Sequence, residues 1–297
     1  MDIAFHLKLQ NNFSGNKEVV LQLDDQNPNE ALILNFLRAG MLYEPDIMKI
    51  IQKILEPGDV FFDVGANIGY FTQFGSALVG PEGKVFAFEP DPKNIERITF
   101  HCEKNHCSNV QIISRPASHS VEDVNFYFNK KSSGGNALWN PGDSFGDAEY
   151  DGGYSTMKST TLSDEIAAFD IKKLKLVKID TEGAEHAILR GAGEWLTAET
   201  IPFIIAEVNG YGLNQLGTSK NELIEFMYSR GYLAFLLYLD GRPPQFVGPG
   251  VNFTSLCMSN VLFTTPQGFA KIWSDMIHDP GVVIDKDTGE MRAKFAA

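Results

Sequence analysis

The chain has 297 residues, 43% hydrophobic and 21% charged. That is the balance of a globular protein with material for its own core, and it excludes a disordered or fibrous chain. Its 38 acids against 25 bases give a formal charge of −13, which repels phosphate backbones and anionic lipid, so neither nucleic acid nor a membrane surface is an expected partner.

Residues 1–57 form an expected N-terminal extension. Two short strands over 7–10 and 19–23 are joined by a turn over 11–16. Asn27-Pro28-Asn29-Glu30 then reads as a helix start, with an Asn cap, Pro at the first helical position and Glu at the third. That helix stops at Gly40, and a second runs from Glu44-Pro45 to Leu55. From Asp59 onward strands and helices alternate, the pattern of a parallel sheet covered on both faces. Strands are expected over 60–64, 85–89, 110–114, 174–180 and 203–208. Helices are expected over 70–78, 92–105, 162–169, 184–189 and 222–229, the last opened by the capping box Ser219-Lys220-Asn221-Glu222. Two further runs, 232–239 and 258–265, are expected as an antiparallel pair closing the sheet edge. A sheet domain over 58–265 and a C-terminal helix (269–277) with a polar tail over 266–297 complete the expectation. Only 115–160 breaks the alternation: after a strand over 124–128 comes a long Gly- and Ser-rich loop, which in a compact domain is usually functional or mobile.

Three cysteines, Cys102, Cys107 and Cys257, make no disulfide scaffold and favour a reducing compartment. The opening MDIAFHLKLQ lacks a basic-then-apolar leader, and the longest apolar run, 232–239, is far short of a membrane span. A soluble cytoplasmic protein is expected. Cys102 and His106 would share a helix face, but Cys107 lies elsewhere and the spacing matches no common zinc module, so this reads as a helix end.

The sharpest motif is Asp63-Val64-Gly65-Ala66-Asn67-Ile68-Gly69-Tyr70, where the first sheet strand turns into a helix. Glycine there permits a tight turn and close approach to a ligand. The run fails the dinucleotide fingerprint, with Asn67 and Tyr70 where glycines are required, and has no phosphate-loop Gly-Lys-Ser/Thr end. Glu89 closes the next strand, where an acid can accept hydrogen bonds from both hydroxyls of a ribose. Together these features suggest a nucleoside without phosphates, the form of S-adenosylmethionine. Asp63 and Gly65 are expected at its amino-acid end and Glu89 at the ribose. Adenine is expected near Ala117 and Ser118, with Asn67, Gly69, Tyr70, Pro90 and Asp180 completing the binding site.

The segments PGDVFFDVGANIGYFT, FAFEPDP, VKIDTEGAEHAILRGA and IIAEVN, in that order within about residues 40–265, resemble the FkbM-like family of S-adenosylmethionine-dependent methyltransferases. The resemblance implies an α/β fold with a Rossmann-like seven-stranded sheet, mostly parallel with an antiparallel edge strand. It also implies methyl transfer to oxygen, often a hydroxyl of a sugar or natural product. The chain departs from the family pattern at 114–119 and at Thr181, where an aliphatic residue is usual.

A neutral alcohol needs a base or a metal to become nucleophilic. Asp180, Glu182 and Glu207 lie at the carboxyl ends of two strands that open onto one crevice, so they are the candidate catalytic carboxylates. Three roles stay open for them: general base, helix cap, or, with Asn209, ligands of a divalent cation that is not itself expected. His119 and His186 are rival bases. The loop 132–154, with Trp139, Phe145, Tyr150 and Tyr154, and the loop 240–257 are expected to border the acceptor, a small molecule or glycan. The N-terminal helices are expected to cover the donor, with Tyr43 or Glu44 touching it. A homodimer contact, if formed, would use the terminal segments. The alternatives are N-methylation, a nicotinamide oxidoreductase and a non-catalytic nucleoside-binding protein.

Overall fold

The computed structural model describes residues 2–11, 15–142, 151–239, 242–250 and 258–273, and two short strands at 282–284 and 291–293. The chain opens with an antiparallel hairpin, β1 (Asp2–Asn11) and β2 (Gly15–Asp24), longer on both arms than the sequence suggests. Alternation along β2 buries Val19, Leu21 and Leu23. Helix α1 (Pro28–Arg38) starts as its sequence indicates: the Asn27 side chain accepts from the amides of Asn29 and Glu30. Glu30 does not complete a capping box. Its carboxylate instead accepts from the Asp24 amide (2.8 Å) and pairs with Arg97 (2.6 Å), tying α1 to the hairpin and to a later helix. Helix α2 (Pro45–Ile54) buries Ile47, Met48, Ile51 and Ile54 on one face.

The alternating region gives β3 (Val60–Val64), α3 (Tyr70–Val79), β4 (Lys84–Phe88), α4 (Pro92–Lys104) and β5 (Val110–Ile113). Next come β6 (Asp123–Asn129), β7 (Asp151–Lys158), α5 (Leu162–Ala168), β8 (Leu176–Ile179), α6 (Glu185–Arg190) and β9 (Phe203–Glu207). Helices α7 (Gly210–Gln215) and α8 (Lys220–Ser229) precede β10 (Leu233–Leu236), β11 (Gln245–Val247), β12 (Asn260–Thr264) and α9 (Pro266–Trp273). The central sheet runs β11-β10-β12-β9-β8-β3-β4-β5. Strands β5, β4, β3, β8 and β9 are parallel, and β12 is antiparallel to both β9 and β10. This is the expected Rossmann-like sheet, mostly parallel with an antiparallel edge. Within it β12 lies antiparallel between β9 and β10, and β11, from the Pro-rich loop, adds an eighth strand at the edge, antiparallel to β10.

Burial on both faces accounts for the unbroken apolar runs. Phe62, Val64, Val177 and Ile179 pack on one face with α5, α6 and α8. Phe61, Leu176 and Ile205 pack on the other with α3, α2 and the β2 hairpin. Strands β6 and β7 form a separate hairpin. The sequence shows β6, but β7 is hidden in the Gly-rich run. Phe145, Tyr150, Cys257 and the end of the expected 269–277 helix lie outside the described residues.

Candidate active site

A cavity of about 420 Å³ opens at the carboxyl ends of β3, β4, β8 and β9. The strand order reverses there, between β3 and β8, the position at which open α/β sheets bind ligands. Residues of α1, the α1–α2 connection and the loop 132–138 cover it.

The turn after β3 builds the floor. Gly65 has φ +80°, and the Asp180 carbonyl lies where its Cβ would be. Only glycine permits both the backbone conformation and this approach of β3 to β8. The Gly65 and Ala66 amides donate to the Phe88 carbonyl, both at 3.0 Å. Asn67 is also left-handed (φ 51°) and its amide donates to Glu89 Oε2 (2.8 Å). Glu89 Oε1 accepts from the Asp91 amide (2.9 Å). The carboxylate is thus fixed at the rim of β4, and burial pushes its pKa up to about 8 despite these amides. Gly69 (φ +84°) begins α3 against Ile98 and does not line the cavity. Tyr70 does line it; its hydroxyl accepts from the Tyr43 amide (3.0 Å) and donates to the Tyr43 carbonyl (3.2 Å).

Asp63 is not at the ligand surface. It is fully buried beneath α3, where Oδ2 accepts from Thr72 Oγ1 (2.6 Å). The reason is strand alternation: Asp63 shares a face with Phe61, and its register partner on β8 is Lys178. Ala117 and Pro90 line the cavity, whereas Ser118 is buried behind it, its amide donating to the Thr160 carbonyl (2.8 Å).

Lys178 is the residue that sequence reasoning missed. It is 2% exposed, its Nζ 2.9 Å from Asp180 Oδ2 and 4.4 Å from the centre of the Phe71 ring. Burial works against the Asp180 charge, but the ammonium outweighs it and holds that carboxyl below its ordinary range. Glu207 behaves oppositely: the Asp180 charge, then burial, push it well above the usual value. The two carboxyl groups therefore titrate as a unit, the charge favoured on Asp180 and the proton on Glu207.

Glu182 occupies a left-handed position (φ 55°). Trp139 Nε1 donates to its carbonyl (2.6 Å), and Asn209 Nδ2 to its Oε2 (2.5 Å). Burial, then the Asp180 charge, push Glu182 up to about 7. Neither Asp180 nor Glu182 caps α6, whose N-cap, Ala184, offers no side-chain bond. Glu185 in its first turn instead braces the preceding turn, its Oε1 accepting from the Gly183 amide (2.8 Å), and the other two carboxyl groups line the cavity. Asn209 does not line the cavity; its Oδ1 caps α7 at the Gly212 amide (3.0 Å) and its Nδ2 holds Glu182. With Asp180 bound to an ammonium as well, the Asp180–Glu207–Asn209 set does not offer a hard cation three free oxygens. No group of three or more His, Cys, Asp or Glu suited to a metal occurs among the described residues.

The rival histidines lie elsewhere. His119 is half-exposed beside Ser120 and Glu122, and His186 Nδ1 meets Thr218 Oγ1 (2.6 Å) with its ring against Phe226. Neither lines the cavity. Trp139 acts through Glu182, and Tyr154 is exposed on β7 against Tyr127, so the loop borders the cavity through Ser132–Leu138 rather than through its aromatics. Tyr43 and Glu44 both line it. No helix among the described residues is long and apolar enough to cross a membrane.

The hexuronic acid methyltransferase AglP of Haloferax volcanii is 25% identical over 166 residues, 56% of this chain and 62% of that protein. The chain therefore matches less than two thirds of that relative. Among solved structures, the FkbM methyltransferase of Methylobacillus flagellatus superposes with a TM-score of 0.41 at 16% identity, covering 69% of this chain and 43% of that one. The precorrin-6y C5,15-methyltransferase of Geobacter metallireducens gives 0.42 at 14%, covering 75% and 89%. A family model, the methyltransferase FkbM domain, matches residues 63–234, more than half of the chain and a span containing Gly65, Glu89, Asp180, Glu182 and Glu207. The chain belongs to the FkbM family of S-adenosylmethionine-dependent methyltransferases.

Proposed function

We propose that the cavity binds S-adenosylmethionine and that the protein methylates a hydroxyl of a sugar or another hydroxylated small molecule. One observation carries the choice of donor. The cavity is lined by Glu44, Glu89, Asp180, Glu182 and Glu207, and its two cations, Lys178 and Arg115, are already paired with Asp180 and Glu165. A diphosphate would meet acidic groups and, among the described residues, no unpaired cation, whereas a phosphate-free, positively charged nucleoside suits them. The donor supplies an electrophilic methyl group.

The protein's part is to hold, align and deprotonate. Glu89, fixed by two backbone amides, is the ribose acceptor, with Pro90 and Ala117 toward the base. Gly65 and Asn67 let the turn wrap closely, and Asp63 acts from behind, neutralising part of the Lys178 charge. Of the three catalytic candidates, Glu182 has the proton affinity that general-base duty needs at neutral pH. Glu207 shares its proton with Asp180, and Asp180 is held ionised by Lys178.

Two observations support a hydroxylated acceptor: the polar groups of Asn29, Ser132, Ser133 and Asn136 along one wall, and the hexuronic acid specificity in the name of the archaeal relative. Calorimetric titration with S-adenosylmethionine and with NAD, then incubation with methyl-labelled donor and a panel of glycans and hydroxylated metabolites, tests both parts. Donor binding without NAD binding, and label recovered on oxygen, are expected. NAD binding alone would overturn the donor, and label on nitrogen would overturn the acceptor.

A further inference from the structure

Glu44 is placed where an N-terminal helix cap belongs, immediately before α2, yet its side chain makes no capping bond. A short acid such as Asp at that position accepts from the first free amides, and a carboxylate close to them gains from the helix dipole. Glu44 makes no such bond and lines the cavity, with Oε2 buried and without a hydrogen-bond partner. Its backbone is left-handed (φ 46°), a conformation unfavourable to a residue with a long side chain. The Tyr70 hydroxyl holds the preceding Tyr43 peptide at both its amide and its carbonyl, fixing the approach to that turn. An unfavourable backbone, a missing cap bond and an unsatisfied buried oxygen thus converge on one side chain that faces the ligand space.

The surroundings say what is missing. Burial, and then Asp180 and Asp46, oppose the Glu44 charge; the Lys178 ammonium that favours it is already bonded to Asp180, and the Tyr43 hydroxyl, its other favourable neighbour, is neutral. A buried carboxylate so placed lacks a cationic donor of its own. The amino-acid end of the proposed donor carries one, and Asp63, the acid that the motif suggests for it, is sealed beneath α3.

Building on the donor assigned above, we propose that Glu44 is the receptor for the donor's primary ammonium group, its free Oε2 accepting the charge-assisted hydrogen bond that completes the site. The N-terminal segment thereby supplies part of the donor site, and the β3 turn alone does not complete it.

Two ligands that differ in this group test the assignment. S-adenosylhomocysteine carries the amino-acid end; 5′-methylthioadenosine keeps the adenine, ribose and sulphur without it. Calorimetric titration of wild type and Glu44→Gln with each is expected to show S-adenosylhomocysteine weakened on the order of 10–100-fold, the range of a hydrogen bond to a charged group. Methylthioadenosine is expected to bind both proteins within about twofold, which also reports that the variant's nucleoside site is folded. Unchanged S-adenosylhomocysteine affinity would overturn the proposal, as would an equal loss for both ligands, which would mark Glu44 as structural or as a ribose contact. Wild type binding neither ligand would overturn the donor assignment itself.

Discussion

Lys178→Met isolates the electrostatics of the site. The wild-type ammonium is buried, bonds Asp180 at 2.9 Å, and is also attracted by Asp63 and Glu44. Methionine keeps most of the apolar stem but removes the charge that lies over the Phe71 ring. Three carboxyl groups then share a dry pocket without a cation. Removing one member of a buried pair typically costs about 3–5 kcal/mol, because the other charge is left uncompensated. For 297 residues, at about 2.1 cal/mol/K per residue of unfolding entropy, that corresponds to roughly 5–8 °C in melting temperature.

The pH dependence separates this cause from lost packing. Lys178 holds the Asp180 carboxyl below its ordinary value, so the stability gained from that shift is present above the unfolded pKa of about 3.9 and is lost as pH falls through the lower folded one. Without the lysine the Asp180 pKa rises, and ionising it opposes folding at neutral pH. Wild type and variant should therefore differ most near pH 7.5, draw together as pH falls and the variant's carboxyls take up protons, and converge below about pH 4, where the wild-type Asp180 is protonated as well. Urea unfolding across this range, with the slope of each transition compared, is the assay. A variant within about 1 kcal/mol of wild type at neutral pH would refute the account, as would a loss independent of pH.

Gly65→Ala places a Cβ on the Asp180 carbonyl at a φ that only glycine adopts freely. The expected result is loss of soluble folded protein or of donor binding; a folded variant with unchanged S-adenosylhomocysteine affinity would contradict the close approach of β3 and β8. The rate kcat/KM should rise with pH through about 7 as Glu182 ionises. Glu182→Gln should lower the rate by about 10²–10⁴-fold and flatten that limb, whereas a retained limb would place the base elsewhere. His119→Ala and His186→Ala should each keep kcat/KM within about threefold of wild type, since neither ring reaches the cavity; a large loss in either would reopen histidine as base.

The main sheet was legible because its signals are local. Short apolar runs bounded by caps place β3, β4, β5, β8 and β9, and the Asn27 and Ser219 caps start their helices as read. The elements that escaped are those whose local chemistry speaks for something else. Strand β7 begins in a Gly-rich stretch, β11 follows adjacent prolines, and α7 opens Gly-Tyr-Gly with Asn209 as its cap. The site divides along the same line. Residues held by the turn itself, Gly65, Asn67 and Glu89, were readable because backbone geometry demands them. Asp63 was readable too, had the period of two been applied: it alternates with Phe62 and Val64 and shares a face with Phe61, so it points under α3.

Lys178 and Glu44 belong to a different category. Lysine is ordinarily a surface residue, and an acid before a helix ordinarily sits against its first free amides; each departs from that role because of partners remote in sequence. Lys178 is drawn in by Asp63, opposite it in the β3–β8 register, and by Asp180, two residues along on the same face. Glu44 comes over the cavity from the N-terminal segment, whose side chains share a core with α3. The polarity of the site, two paired cations and five acidic side chains among the described residues, exists only once the β3–β8 register and that packing are both in place. Since the choice of a cationic nucleoside over a diphosphate rests on this polarity, the discriminating part of the functional argument lies in tertiary structure, although every residue in it is visible in the chain.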